Sequence, residues 1–312
     1  MKILVTGGCG YKGSVLVPTL LEKGHEVISV DTQWFGNYLN AHPQLKNLKS
    51  DVRDIEISTL KGVDVVIHLA NIANDPAVEL NPNLSWEVNV LATQQLIEKS
   101  KKVGVKQFIF ASSGSVYGVK EEDKVTEDLD LVPISVYNKT KMIAERVLLS
   151  YKNDMVVHCI RPATVCGYSP RMRLDVSVNM FTYQALKNGK MTIFGGDQTR
   201  PNIHIKDIVN VYLHFIDNPN IESGCYNAGF ENISILEIAK LVKEKIPSEI
   251  IVSESNDPRS YRQDSTKLLK TGFCQKFKVK DAINEIYEVY NKGQLLDSDN
   301  CFTVKWMKTL NL

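Results

Sequence analysis

Tyr137 and Lys141 stand four residues apart in the run YNKTK. An i,i+4 pair inside a helical segment raises both side chains from one face, about one turn apart. Upstream, Phe108 to Gly118 reads FIFASSGSVYG, an apolar strand that delivers Ser112 and Ser113 to its C-terminal end, where open α/β sheets bind ligands. A serine, a tyrosine and a lysine can therefore converge on one reacting oxygen. A phenol titrates at about 10 in water, too high for a base at neutral pH, but positive charge close by favours the phenolate. Tyr137 would then take a proton from a hydroxyl, with Ser113 donating or accepting a hydrogen bond at the same oxygen. Taken alone, the pair equally describes a tyrosine beside a surface lysine, so its meaning depends on what precedes it.

What precedes it is TGGCGYKG over Thr6 to Gly13, with glycines at Gly7, Gly10 and Gly13 and with Tyr11 and Lys12 between the last two. Glycine permits the tight turn and lets the backbone approach a pyrophosphate, whose charge meets the free N–H groups of a helix N-terminus. The second strand ends in Asp31, eighteen residues beyond Gly13. A carboxylate there accepts hydrogen bonds from the adenosine ribose and repels a 2′-phosphate, which favours NAD over NADP. The bland alternative is an ordinary turn and a solvated strand end. Asp51 and Val52, after a third strand, would flank the adenine, and Leu69 and Ala70 follow the fourth strand, with Ala70 touching the cofactor through its backbone. With NAD in place, hydride leaves the carbon that Tyr137 deprotonates, and Lys141 also holds the nicotinamide ribose.

The elements that must position these groups alternate. Met1 to Thr6 reads as a strand, Gly13 to Lys23 as a helix, and His25 to Val30 as a strand, together one βαβ unit. Val63 to Leu69, Phe108 to Ser112 and Val156 to Arg161 continue as strands, with helices over Leu84 to Val103 and Ser135 to Tyr151. Continuous apolar strands separated by helices imply a doubly wound α/β fold, a parallel sheet covered on both faces. After about residue 165 the loops lengthen, and Ser234 with Glu237 forms a capping-box pattern at the start of a helix to Lys245. The division expected is 1–165 for cofactor, with a segment near 199–230 returning to it, and 166–312 mainly for substrate.

With 312 residues, 43% of them hydrophobic, a sizeable core can be buried. Net charge is +1, from 37 basic against 36 acidic residues, so no field exists to hold a nucleic acid. The six cysteines (Cys9, Cys159, Cys166, Cys225, Cys274 and Cys301) show no metal or disulfide spacing and read as reduced thiols of a cytoplasmic protein. No leader pattern and no run of about 18 apolar residues is present, so no membrane segment is expected. His68 and His204 lack matched ligand spacing, and no metal site is expected.

In combination these motifs resemble the NAD-dependent epimerase/dehydratase family of extended short-chain dehydrogenase/reductases, over nearly the whole chain. The resemblance implies a Rossmann sheet with a smaller C-terminal α/β region for a nucleotide-diphosphate sugar, and Ser113, Tyr137 and Lys141 as the catalytic set. RPATVCGYSPR (Arg161 to Arg171), which contains Thr164, is similar to the family's segment running from the nicotinamide pocket to the sugar nucleotide. Arg200 and Arg259 match arginines that reach the nucleotide diphosphate, a task suited to a planar guanidinium fork. Gly114 and Ser115, beside Ser113 in the substrate site, stand where sugar-dehydrating members carry an aspartate and a glutamate, which disfavours dehydration. Cys166 stands where many members have tyrosine.

Ser169 to Asp175, SPRMRLD, resembles a branch acting on GDP-heptoses and modified sugars. Either Arg171 and Arg173 face the nucleotide or sugar, or the run is a solvated basic loop. Asn179 would by resemblance bond a phosphate or sugar oxygen. Asn74 and Asp75 are either substrate contacts or a loop starting a helix. The family also implies a homodimer through helices 84–103 and 135–151. Three functions stay open: an epimerase working through a 4-keto intermediate, a C4-dehydrogenase or keto-sugar reductase with the same triad, and a non-catalytic NAD-binding sensor.

Overall fold

Alternation of apolar side chains decides how the chain layers. In the first strand Ile3 and Val5 enter one core and Leu4 another, on opposite faces of the sheet. The computed structural model describes residues 1–254, 260 and 262–311. Its strands are β1 (Lys2–Thr6), β2 (Glu26–Asp31), β3 (Leu45–Lys49), β4 (Val65–His68), β5 (Gln107–Ala111), β6 (Val156–Pro162), β7 (Thr164–Cys166), β8 (Lys190–Phe194), β9 (Thr199–His204), β10 (Gly224–Ala228), β11 (Glu231–Ser234) and β12 (Glu249–Ser253). The α-helices are α1 (Gly13–Glu22), α2 (Asp75–Val78), α3 (Pro82–Trp86), α4 (Ala92–Val103), α5 (Val136–Leu149), α6 (Ser177–Asn188), α7 (Ile205–Asp217), α8 (Ile235–Lys245), α9 (Thr266–Leu269), α10 (Val279–Asn291) and α11 (Thr303–Thr309).

Seven strands pair in parallel in the order β10-β6-β5-β4-β1-β2-β3. Helices α1 and α7 cover one face through Leu16, Leu20, Ile208 and Phe215, while α4 and α5 cover the other through Leu96, Ile97, Ala144 and Leu148. The doubly wound α/β fold read from the sequence is the fold observed. Strand order reverses between β1 and β4, and a ligand crevice forms beyond the carboxyl ends of strands at such a switch point. Strand β10 returns to this sheet late in the chain, pairing Asn227 with Arg161. The small sheets β11-β9-β7 and β12-β8 pack with α6, α8 and α10 around a third core that includes Val178, Met191, Ile238 and Ile283.

Two local features show why the elements end where they do. The single helix expected over Leu84 to Val103 is instead α3, a π-turn over Glu87–Leu91 and α4, ending at Gly104 in the left-handed conformation. The widened turn carries Asn89, whose side chain accepts from Ile72 N (2.8 Å) and donates to Ile72 O (3.1 Å), so it clamps the loop after β4. At α8 the capping box forms as the pattern implies: Glu237 N donates to Ser234 Oγ (3.1 Å) and Ser234 N to Glu237 (2.6 Å). No helix among the described residues is long and apolar enough to cross a membrane.

Candidate active site

A cleft of about 660 Å³ opens beyond the ends of β1, β2, β4 and β5. Its floor is the glycine loop. A Cβ on Gly7, which sits at φ +73°, would lie 2.7 Å from Ala70 N, and one on Gly13 would lie 2.3 Å from Gly7 O, so both positions exclude any side chain. Gly10 lines the cleft and its Cβ would approach only Gly7 O, at 3.2 Å, which leaves the cradle's mouth free for a ligand. Asp31 accepts from Cys9 N (3.0 Å) and Gln33 N (2.7 Å), and burial pushes its carboxyl above the usual range against those two bonds. Each oxygen keeps lone-pair capacity toward the cleft. A phosphate cradle with a carboxylate at the end of β2 fits a dinucleotide whose ribose is not phosphorylated.

The remaining cofactor candidates line the same cleft: Tyr11, Lys12, Asp51, Val52, Leu69 and Ala70. Two of them have other duties. Asp51 is gripped by Arg53, through Nε at 3.1 Å and Nη2 at 3.0 Å, so its carboxylate is already engaged. The Tyr11 hydroxyl donates to Gly167 O (2.7 Å) and pins the segment after β7 onto the glycine loop. The Lys12 ammonium, 3.4 Å from the Tyr212 hydroxyl, is lowered to about 8 by burial and by the charge of Arg173.

Helix α5 and the end of β5 bring Ser113, Tyr137 and Lys141 to the cleft wall. Lys141 is 1% exposed, donates to Ala111 O (2.7 Å) and lies over the Phe110 ring at 4.6 Å. Burial, with Lys12 adding to it, holds this amine well below its ordinary value. Ser113 belongs to a chain of hydrogen bonds. Asn138 Nδ2 donates to Asp75 Oδ1 (3.3 Å) and to Ser115 Oγ (2.9 Å), and Ser115 N donates to Ser113 Oγ (3.2 Å). Ser115 Oγ and Ser113 Oγ lie 2.7 Å apart, and either hydroxyl can donate to the other. Ser113 Oγ therefore accepts from the Ser115 amide and shares one hydroxyl hydrogen bond with Ser115 on the wall of the cleft.

Asp75 also accepts from Ser135 Oγ (2.5 Å), the N-cap of α5, whose oxygen in turn accepts from Asn138 N (3.1 Å). One carboxylate therefore orients both Ser113 and the start of the Tyr137 helix. Replacing Asp75 with alanine is expected to lower turnover by about ten- to a hundred-fold through misplacement of these groups, with KM little changed. Steady-state kinetics on the variant would show whether kcat carries the loss. An unchanged kcat would remove Asp75 from this role.

Several expectations take a different place. Asn179 is not among the residues that line the cleft: it accepts from Gly167 N (2.9 Å) and donates to Tyr11 Oη (3.0 Å) and Arg173 O (2.9 Å), so its amide holds the wall together. Gly114 also faces away, backed by Gln263 and Pro162 O at 3.2 Å from a built Cβ. Ser115, Thr164 and Arg200 do line the cleft, and Arg200 Nη1 donates to Thr199 O (3.2 Å). Arg259 lies outside the described residues. The run Ser169 to Asp175 is no solvated loop, since Ser169, Arg171, Met172 and Leu174 are buried. Asn74 caps α2 by accepting from Ala77 N (2.9 Å), the helix-starting alternative.

Cys166 is core, packed with α6 and α8. His68 lies between Thr6 Oγ1 (2.6 Å) and Thr93 Oγ1 (2.8 Å), and His204 caps α7. Among the described residues the sequence reading missed Asn138 and Ser135, and also Phe35, Thr303, Val304 and Met307, which line the cleft from distant parts of the chain.

The order of these parts along the chain is also that of known proteins. The model of the NAD dependent epimerase/dehydratase family matches residues 3–229. The chain belongs to that family. It is accordingly an NAD-dependent enzyme of the nucleotide-sugar epimerase/dehydratase kind. It is 32% identical over 264 residues to the uncharacterized UDP-glucose epimerase YtcB of Bacillus subtilis, covering 78% of this chain and 82% of that one. It is 30% identical over 298 residues to a putative UDP-glucose 4-epimerase of Methanocaldococcus jannaschii, covering 91% and 96%. Among solved structures, UDP-glucuronic acid 4-epimerase from Bacillus cereus, in complex with UDP-glucuronic acid and NAD, superposes with a TM-score of 0.83 at 26% identity over 94% of this chain and 99% of that one.

Proposed function

We propose that the enzyme is a nucleotide-sugar 4-epimerase that works through a 4-keto intermediate, with Tyr137 as base and then acid. The observation that carries this reading is the meeting of Ser113, Tyr137 and Lys141 in one cleft with the glycine loop and Asp31. NAD, when bound, accepts hydride from the sugar carbon and returns it. Tyr137 Oη takes the proton from the C4 hydroxyl and gives it back after the keto-sugar has turned over. The Ser113 hydroxyl donates to the C4 oxygen as the proton leaves it for Tyr137. The buried Lys141 ammonium, costly where it stands, gains most from an anionic neighbour and so favours the phenolate.

Gly114 and Ser115 support epimerisation over elimination, because neither supplies an acid or base for loss of water. The relatives named above support UDP as the carrier, and the GDP-heptose resemblance of Ser169 to Asp175 has no counterpart among them. Arg200 and Arg259 are assigned to the diphosphate of that carrier. A cytoplasmic homodimer joined through α4 and α5 completes the reading.

The test is a panel of UDP-, GDP-, CDP- and dTDP-sugars, followed by absorbance of reduced nicotinamide and by product stereochemistry. Redox-neutral inversion at C4 is expected. Stoichiometric reduced NAD would instead make the protein a dehydrogenase with the same triad. Tight NAD binding without turnover of any sugar would make it a sensor.

A further inference from the structure

Arg171 is a buried cation whose guanidinium has no hydrogen-bond or ion-pair partner among the described residues. It is 4% exposed and lines the cleft, and its Nε is fully enclosed. A buried charge left in that condition is unfavourable unless an anion arrives. The fold nevertheless holds the group in place from several directions. Its Cζ lies 4.0 Å over the Phe35 ring. The loop carrying Phe35 is tied down by the C-terminal segment, with Asn300 Nδ2 donating to Phe35 O (3.0 Å) and Trp306 Nε1 to Trp34 O (2.6 Å).

The surroundings of Arg171 belong to the dinucleotide half of the cleft. Its preceding turn is fixed on the glycine loop, where Ser169 Oγ donates to Tyr11 O (2.8 Å), and its own N–H is 3.4 Å from Ser14 Oγ in the first turn of α1. Asp31 is within reach of its charge. The neighbouring Arg173 is already neutralised by Asp175 (2.9 Å), so the unmet charge is that of Arg171.

We infer that Arg171 pairs with the diphosphate of the bound dinucleotide, across from the N–H groups of the glycine loop, and that it does not serve the sugar nucleotide. The inference rests on the reading of the cleft as an NAD site and reassigns an arginine that the sequence alone places with nucleotide or sugar. An anion held between a helix N-terminus and a guanidinium, beneath a loop strapped by the C-terminal segment, is slow to leave. Retention of that sort suits a cofactor regenerated in every cycle.

Calorimetric titration of nucleotide-free wild type and Arg171→Met with ADP-ribose, adenosine and UDP tests it. The variant should bind ADP-ribose about ten- to a hundred-fold more weakly, the loss of a charge-assisted pair. Adenosine and UDP affinities should stay near wild type. The nucleotide-free variant should also melt at a higher temperature than wild type, because the orphaned cation is gone, whereas an arginine with a merely structural role would lower it. Phe35→Leu, which removes the ring under the guanidinium but keeps the charge, should weaken ADP-ribose less and in the same direction. Unchanged ADP-ribose affinity in both variants, or a loss as large for UDP or adenosine, would overturn the assignment. A wild-type enzyme inert on every sugar but showing this affinity pattern would defeat the epimerase reading and leave Arg171 where it is placed here.

Discussion

Tyr137→Phe is expected to reduce sugar turnover by about 10²- to 10⁴-fold, the range a positioned acid–base group contributes. The substitution deletes one oxygen and keeps the ring, which packs partly buried against the core beneath α5. Stability and NAD content should therefore stay close to wild type, and the loss should appear in kcat with KM little moved. The effect is large because, among the described residues of the cleft, the other phenol, that of Tyr11, is spent on Gly167 O. Ser113 Oγ is engaged with Ser115 through that residue's amide and hydroxyl, and an aliphatic hydroxyl is no base at neutral pH. Lys141 is committed to Ala111 O and sits over Phe110. Product analysis by NMR on purified variant, with melting temperature and bound NAD measured alongside, checks the claim. A variant that inverts the sugar at the wild-type rate would end the proposed mechanism.

What the sequence made legible is what depends on short separations. The glycine loop, Asp31 and the Tyr137–Lys141 pair each draw their meaning from a strand end or from helical spacing, and β1, α1, β2, β4 and α5 follow from apolar periodicity. The third strand, LKNLK, carries too few apolar residues to announce itself because it is the half-exposed edge of the sheet. The Asp75–Ser135–Asn138 clamp joins positions about sixty residues apart, and the strap from Asn300 to Phe35 joins positions still farther apart. No local pattern encodes such contacts. Asn179 shows the reverse case: a polar residue close to a basic run suggests a ligand contact, but internal hydrogen bonds engage its amide once α6 packs behind the glycine loop. Arg171 and Arg173 look alike in SPRMRLD, and only the fold, by giving Asp175 to one of them, makes them different.

Glu145→Gln is expected to destabilise the protein by about 3–5 kcal/mol, the cost of leaving one partner of a buried ion pair uncompensated. Glu145 and Arg161 are 1% and 4% exposed and meet in two parallel bonds, Nε to Oε1 at 2.9 Å and Nη2 to Oε2 at 2.8 Å. Burial opposes the charge of Arg161, and Glu145 more than restores it, pushing the guanidinium above its ordinary range. For a chain of this length the loss corresponds to a fall in Tm of roughly 5–8 °C. The double variant Glu145→Leu with Arg161→Met should recover most of it, since apolar side chains of similar volume replace a buried pair at little net cost. Activity should follow a different course. Glu145 lies one turn beyond Lys141 on α5 and accepts from Ser112 Oγ (2.5 Å), beside Ser113, while Arg161 Nη1 donates to the Tyr117 hydroxyl (2.7 Å). The pair thus joins α5 to the end of β5 at the point where the catalytic groups meet, and the double variant should regain Tm without regaining full kcat. Thermal melts and kinetics on the same preparations separate the two effects. If the double variant recovered both in full, the ion pair would be a matter of packing alone, and if it recovered neither, the loss in Glu145→Gln would have to come from something other than an unpaired arginine.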